Sequence, residues 1–164
     1  MKKLLIIGHA RHGKDTVAEI LLNYYGYQFK SSSELAAEIF IYDELKEKYG
    51  YQDFQECYVD RMNHRAEWYN LIKEYNKDDR AKLAKEILKM ADCYVGMRER
   101  EEIIECKHQD LFDLIIWVDA SQRCPLEPAD SFNIDISLAD IIIDNNGSFS
   151  DFEKKVIRLG KILC

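Results

Sequence analysis

The stretch Leu4-Leu5-Ile6-Ile7-Gly8-His9-Ala10-Arg11-His12-Gly13-Lys14-Asp15-Thr16 decides how this chain is read. An apolar run ends at Gly8, four residues pass, and Gly13-Lys14 opens residues 17–25, where apolar positions recur with helical spacing. This is the G-x-x-x-x-G-K pattern in the setting that gives it meaning, a buried strand before it and a helix after it. Glycines at both ends let the backbone turn tightly with its N–H groups inward. The helix starting near Gly13 adds the positive end of its dipole. The pattern predicts a phosphate-binding loop in which Lys14 reaches the β- and γ-phosphate oxygens of a nucleotide. Gly8, Arg11, His12, Gly13 and Thr16 would complete the cradle.

One position departs from the pattern. Ser or Thr normally follows the lysine and supplies a hydroxyl to magnesium, whereas here Asp15 stands there with Thr16 next. A carboxylate is a good hard ligand for Mg²⁺, directly or through water, so Asp15 is a candidate metal ligand. The alternative is an acidic residue that merely complements the helix dipole.

Composition narrows the field. A chain of 164 residues has the size of one domain with a real core. A net charge of −7 and a pI near 5.2 argue against an extended nucleic-acid surface, which needs clustered Lys and Arg, but leave room for a small anion. Cys57, Cys93, Cys106, Cys124 and Cys164 are scattered and never form a C-x-x-C pair, which favours reduced thiols in a cytoplasmic setting. Cys124 alone stands where reactivity is worth watching. No run has the length of a membrane span, and the first apolar run is too short for a signal-peptide core. A soluble cytoplasmic protein with no membrane partner is expected, its oligomeric state open and a homodimer included.

Continuous rather than alternating β-branched runs at residues 3–8, 27–30, 93–97, 114–119 and 140–144 predict five parallel strands covered by helices on both faces, an α/β doubly wound domain. A helix is expected at 100–108, and Ser150-Asp151-Phe152-Glu153 reads as the capping box of a final helix. Residues 32–91 interrupt the strand rhythm; with no proline and Gly50 as the sole glycine, they predict about three inserted helices. Residues 120–139 hold both prolines, Pro125 and Pro128, and read as a flap.

Four further groups of residues could carry chemistry. In Asp60-Arg61-Met62-Asn63-His64-Arg65-Ala66-Glu67-Trp68-Tyr69, a helix would place Arg61, His64, Arg65 and Trp68 on one face. Two guanidinium forks suit a phosphate and an indole suits a base or sugar, against the plainer reading of a solvated charged face with a half-buried Trp. Ser31-Ser32-Ser33 follows the second strand, where one serine caps a helix and another, Ser32, is a candidate ligand contact. Arg98 ends the third strand, where an Asp often stands, and is a candidate phosphate clamp; Arg100 is expected only to pair with neighbouring glutamates. In the flap, Arg123 is the candidate cation that a closing lid brings to the transferring phosphoryl group. Asp144-Asn145-Asn146-Gly147 is a turn that could present backbone at Asn146 and Gly147 to an adenine. His9 and His12 are expected to point outward from their loop, and no histidine forms a metal-ligand pair.

On Gly8 to Thr16 with its Gly-Lys-Asp-Thr ending, Asp60-Arg61 with His64 to Trp68, Tyr94 to Arg98, Leu114 to Ser121 and Asp140 to Gly147, the chain resembles the deoxynucleoside monophosphate kinases of bacteriophages, within the P-loop nucleoside-monophosphate kinase superfamily. The resemblance implies a parallel sheet of order 2-3-1-4-5, a core of residues 1–31 and 92–164, a helical acceptor-binding insert at 32–91 and a lid at 120–139. It also implies ATP and Mg²⁺ in the loop, Arg61, Arg65 and Arg98 toward an acceptor monophosphate, and work in the host cytoplasm if phage-encoded. Asp15 and the arginine-poor lid depart from the family pattern and leave the metal geometry and the lid cation open. Other small-molecule acceptors such as dephospho-coenzyme A, a hydroxyl within DNA, or a nucleotide sensor without transfer remain as alternatives.

Overall fold

In the computed structural model, which describes residues 1–164, the first apolar run forms β1 (Leu4–Ile7), with all four side chains buried. It lies at the centre of the sheet between β3 (Cys93–Val95) and β4 (Leu114–Asp119), with β2 (Phe29–Ser31) and β5 (Ile141–Asp144) outermost. The order is β2-β3-β1-β4-β5 and every pairing is parallel, as the resemblance implied. Alternation along each strand divides its residues between two cores. Leu5, Ile7, Tyr94 and Trp117 belong to the core under the long helical interval. Leu4, Ile6, Ile116 and Val118 belong to the core under α1 (Lys14–Tyr25) and the C-terminal helix.

That interval holds more helices than composition predicted. They are α2 (Ser32–Ala36), a π-helical turn (Ala37–Ile41), α3 (Tyr42–Tyr49), α4 (Phe54–Asp60), α5 (Arg65–Tyr75) and α6 (Lys82–Leu88). The expected single helix through residues 60–69 is broken. A 3-10 turn (Arg61–Asn63) and His64, at φ −130° and ψ 32°, separate α4 from α5. The Asp60 carboxylate explains the break: the Tyr51 hydroxyl and the Asn63 amide donate to it at 2.6 Å each, and His64 Nε2 lies 3.0 Å away. Such local side-chain bonds stabilise a helix end in preference to its continuation.

Beyond β3 come α7 (Arg100–His108), β4, a segment whose one helical turn is Ile136–Leu138, β5 and α8 (Phe149–Leu163). The α8 cap is Ser148, whose Oγ accepts from the Asp151 N–H at 3.2 Å, so the capping residue stands two positions before the predicted Ser150. Gly160 lets α8 lie close on α1: a Cβ there would be 2.2 Å from Tyr25 Cε2, and the Tyr25 hydroxyl donates to the Ile157 carbonyl at 2.6 Å. No helix is long and apolar enough to cross a membrane.

Candidate active site

The loop between β1 and α1 has a backbone only glycine can follow at its two ends. Gly8 has φ +138° and Gly13 has φ +101°; a Cβ on Gly8 would lie 2.5 Å from the Val118 carbonyl oxygen, and one on Gly13 2.5 Å from Asn145 Nδ2. Asn145, itself buried, donates to the His12 carbonyl at 2.9 Å and so ties the loop to the end of β5. Lys14 begins α1 and is 7% exposed, with Nζ donating to the His9 carbonyl at 2.6 Å. Burial, then the nearby Arg98, brings its ammonium down to about 8. An ammonium so poorly solvated is suited to a phosphate, which would supply the missing counter-charge.

Both loop histidines point inward, contrary to the expectation from sequence. His12 is fully buried, and its Nδ1 accepts from the Ala120 N–H at 3.0 Å, which braces the loop against the residue after β4. Its imidazole therefore serves the loop's shape through Nδ1, while Nε2 is buried without a partner. His9 stacks on Phe132, with ring centroids 4.0 Å apart, and its Nδ1 accepts from the Glu127 N–H at 3.0 Å. Burial, followed by His12, holds His9 below the ordinary histidine range.

A cleft opens to one side of this loop. The ends of β2 and β3 and the start of α5 build it, bringing together Ser32, Arg61, Arg65, Trp68 and Arg98. Ser31 is the helix cap, which frees Ser32 to face the cleft while its Oγ donates to the Gly96 carbonyl at 3.2 Å. Gly96, at φ +100°, turns the chain so that Arg98 follows directly. Arg61 packs its guanidinium 3.8 Å from the Tyr58 ring centroid and donates to the Tyr58 carbonyl. Trp68 is a buried core residue that shows one side to the cleft, and its Nε1–H has no partner in the protein. His64 is not among the lining residues; it lies against Tyr49 and Asp60, because the helix break turns it away.

Three acidic residues were missed by sequence reading. Glu102 is buried at the cleft, accepts from the Asn76 amide at 2.9 Å, and is pushed up to about 7, chiefly by burial. Glu99 is equally buried; burial pushes it up, but the Tyr69 hydroxyl and the Lys73 ammonium outweigh that and hold it below the usual carboxylate range. The third, Glu127, stands between the two prolines on the irregular segment. Its Oε1 accepts from Arg65 Nη1 and from Arg98 Nη1 at 2.6 Å each. Its Oε2 accepts from the loop N–H of Ala10 at 2.8 Å. A lone acid framed by the chain's only two prolines was its one sequence signal. Arg100 pairs with Asp135 of the same segment at 2.8 Å, not with the neighbouring glutamates expected.

Arg123 does not join Arg65 and Arg98. Its Nε donates to the Asn145 carbonyl at 2.6 Å, and it lines a second cleft with Arg11, Gly13, Thr16, Gly147 and Phe149. Asn146 braces that turn: its Oδ1 accepts from the Gln122 N–H, and its Nδ2 donates to Asp119 and Asp144. Asp15 is exposed on the first turn of α1. No group of three or more His, Cys, Asp or Glu side chains converges to make a metal cage. The donors present, Asp15 and the Thr16 hydroxyl, fit a Mg²⁺ that is held mainly by phosphates and waters. All five cysteines are free; burial pushes Cys57 up to about 11 and Cys93 and Cys106 up to about 12, so these three are poor nucleophiles.

A parallel β2-β3-β1-β4-β5 sheet with a glycine-bounded phosphate loop after β1 is the P-loop kinase fold. Solved structures agree across nearly the full chain. A shikimate kinase from Bacteroides thetaiotaomicron superposes with TM-score 0.54 at 11% identity, covering 99% of this chain and 98% of that one. A dephospho-CoA kinase from Campylobacter jejuni gives 0.53 at 17% identity, with coverage of 99% and 97%. A gluconokinase from Sinorhizobium meliloti 1021 gives 0.51 at 12% identity, with coverage of 99% and 95%. No family model and no curated protein matches the chain.

Proposed function

We propose that this chain is a phosphotransferase that moves the γ-phosphoryl group of ATP to a deoxynucleoside or ribonucleoside monophosphate, a cytoplasmic enzyme of the bacteriophage type. The observation that carries the reading is convergence: the Ala10 N–H of the phosphate loop and the Arg65 and Arg98 guanidinium groups of the neighbouring cleft surround one anionic group, the Glu127 carboxylate. Residues 1–31 and 92–164 form the core, 32–91 the acceptor-binding insert and 120–139 the lid.

ATP is placed with its polyphosphate on the loop from Gly8 to Thr16 and its adenine in the cleft of Arg11, Arg123 and Gly147. Mg²⁺, held by Asp15 and the phosphates, supplies charge neutralisation when bound. The acceptor lies along Ser32, Arg61 and Trp68 with its phosphate at Arg65 and Arg98. An acceptor phosphate oxygen is already ionised at neutral pH, so no general base is required; the protein aligns the groups and spreads the charge. Lys14 sits at the β- and γ-phosphates, and Arg98 clamps the group in transit.

The second reading is a small-molecule acceptor with a hydroxyl group, and two observations favour it. The structural neighbours are a shikimate kinase, a gluconokinase and a dephospho-CoA kinase. A carboxylate, Glu127, also stands beside the phosphate loop, where a hydroxyl would need a base. A coupled ADP-release assay over the common deoxy- and ribonucleoside monophosphates, with dephospho-coenzyme A, shikimate and gluconate alongside, tests both. Turnover with a monophosphate that falls a hundredfold or more in Lys14→Ala supports the first reading. Turnover confined to the hydroxyl acceptors overturns it.

A further inference from the structure

Glu127 has no role in the monophosphate transfer proposed first, yet its carboxylate occupies the point on which that transfer depends. The side chain is 5% exposed although the segment around it is irregular. Three donors hold it: Arg65 and Arg98 on Oε1, and the Ala10 N–H on Oε2. Its backbone is pinned as well, since its N–H donates to His9 Nδ1 at 3.0 Å. Pro125 and Pro128 on either side restrict the segment before it docks, which lowers the entropy lost in holding the carboxylate there.

Two guanidinium groups and a phosphate-loop amide are the donors that a phosphoryl group takes in such a site. While Glu127 holds them, the Arg65 and Arg98 Nη1 donors and the Ala10 N–H are not free for a phosphoryl group. We infer that Glu127 is a resident stand-in for the phosphoryl group: in the free protein its carboxylate fills the anion site shared by the phosphate loop and the Arg65–Arg98 pair, and polyphosphate enters by displacing it. Identifying the displacing anion as the γ-phosphate of ATP rests on the kinase reading above; the displacement itself rests only on the three contacts.

The arrangement has a physical purpose. Without an anion, Arg65 and Arg98 would face each other beside the nearly buried Lys14, and Glu127 is the acid in contact with both arginines. A singly charged small anion gains little over a carboxylate that is already tethered. A multiply charged polyphosphate, which also takes Lys14 and the remaining loop amides, gains enough to replace it. The rest of the segment keeps ties that do not involve Glu127: Phe132 stacks on His9, the Asn133 N–H donates to the Arg98 carbonyl at 2.9 Å, and Asp135 pairs with Arg100.

The test uses the full chain as Glu127→Gln and Glu127→Ala, titrated calorimetrically with inorganic tripolyphosphate and with MgATP in the absence of acceptor. A stand-in predicts that tripolyphosphate binds tenfold or more tightly to Glu127→Ala than to the unmodified chain, with MgATP shifted in the same direction, because the competing anion is gone. Glu127→Gln, which keeps the shape and loses the charge, should fall between them and serves if the alanine variant does not fold. Unchanged or weaker tripolyphosphate binding in the variant that folds overturns the inference and makes Glu127 a group that holds the arginines in working position. Tripolyphosphate engages the anion site alone, so this outcome is independent of whether any nucleoside monophosphate proves to be an acceptor.

Discussion

Arg65 and Arg98, on α5 and just after β3, each direct Nη1 to the same oxygen, Glu127 Oε1, at 2.6 Å. Residues 33 apart in sequence thus share one charge partner, so removing either leaves the carboxylate with the other. Alanine at each position should weaken acceptor binding by about ten- to a hundredfold, the worth of one charge-assisted contact. The double variant should be non-additive in stability by at least about 0.5 kcal/mol, read from urea denaturation of the four-member cycle. Strict additivity would mean that the two arginines do not share Glu127 in solution.

Gly13→Ala places a methyl group 2.5 Å from Asn145 Nδ2 at a φ of +101°. It strains the loop and displaces the Asn145 bond to the His12 carbonyl, so a loss of about 1–3 kcal/mol with abolished polyphosphate binding is expected. Gly147→Ala is the control: a Cβ there meets nothing within 4 Å, and stability should stay within about 0.5 kcal/mol of the original. Equal effects at the two positions would remove the steric explanation.

Glu102 makes stability depend on pH. Burial lifts its carboxyl from the ordinary 4.5 to about 7, against the Asn76 bond, so the folded protein binds more protons than the unfolded chain across that interval. Stability from this group is greatest below pH 4.5, declines as pH rises from 4.5 to 7, and remains reduced by about 3 kcal/mol above it. Glu102→Gln should flatten the decline, so that the variant gains on the original chain between pH 5 and pH 8 in urea melts. Parallel pH profiles would show that the carboxyl titrates as it does in water.

Asp15→Asn separates a metal ligand from a helix-dipole charge. If the exposed carboxylate holds Mg²⁺, directly or through water, the magnesium titration of turnover moves to higher concentration, since an amide is the weaker ligand for a hard cation. A titration that does not move, with stability down by about 0.3–1 kcal/mol, assigns Asp15 to the dipole.

The fold was legible because its signals are local. Buried parallel strands demand continuous apolar runs, and a phosphate loop needs glycine where the backbone turns through positive φ, so β1, Gly8, Gly13 and Lys14 could be read directly. Strand order followed from the resemblance, and the sheet has it. Local spacing also brought Arg61 and Arg65 to notice, although the helix proposed to align them is broken at His64 and the two reach one cleft from different elements.

Tertiary structure alone decided the rest. Whether a loop histidine points out or in depends on what packs behind it, and Ala120, Phe132 and Trp117 draw His12 and His9 inward. As the arginine of the flap, Arg123 reads from sequence as the lid cation, but the Asn145 carbonyl holds it at the other cleft. Glu127 carries no periodicity and no motif. Its position results from three donors separated by 29 to 117 residues along the chain, and charges paired across such distances leave no pattern in a sequence until the sheet brings their strand ends together.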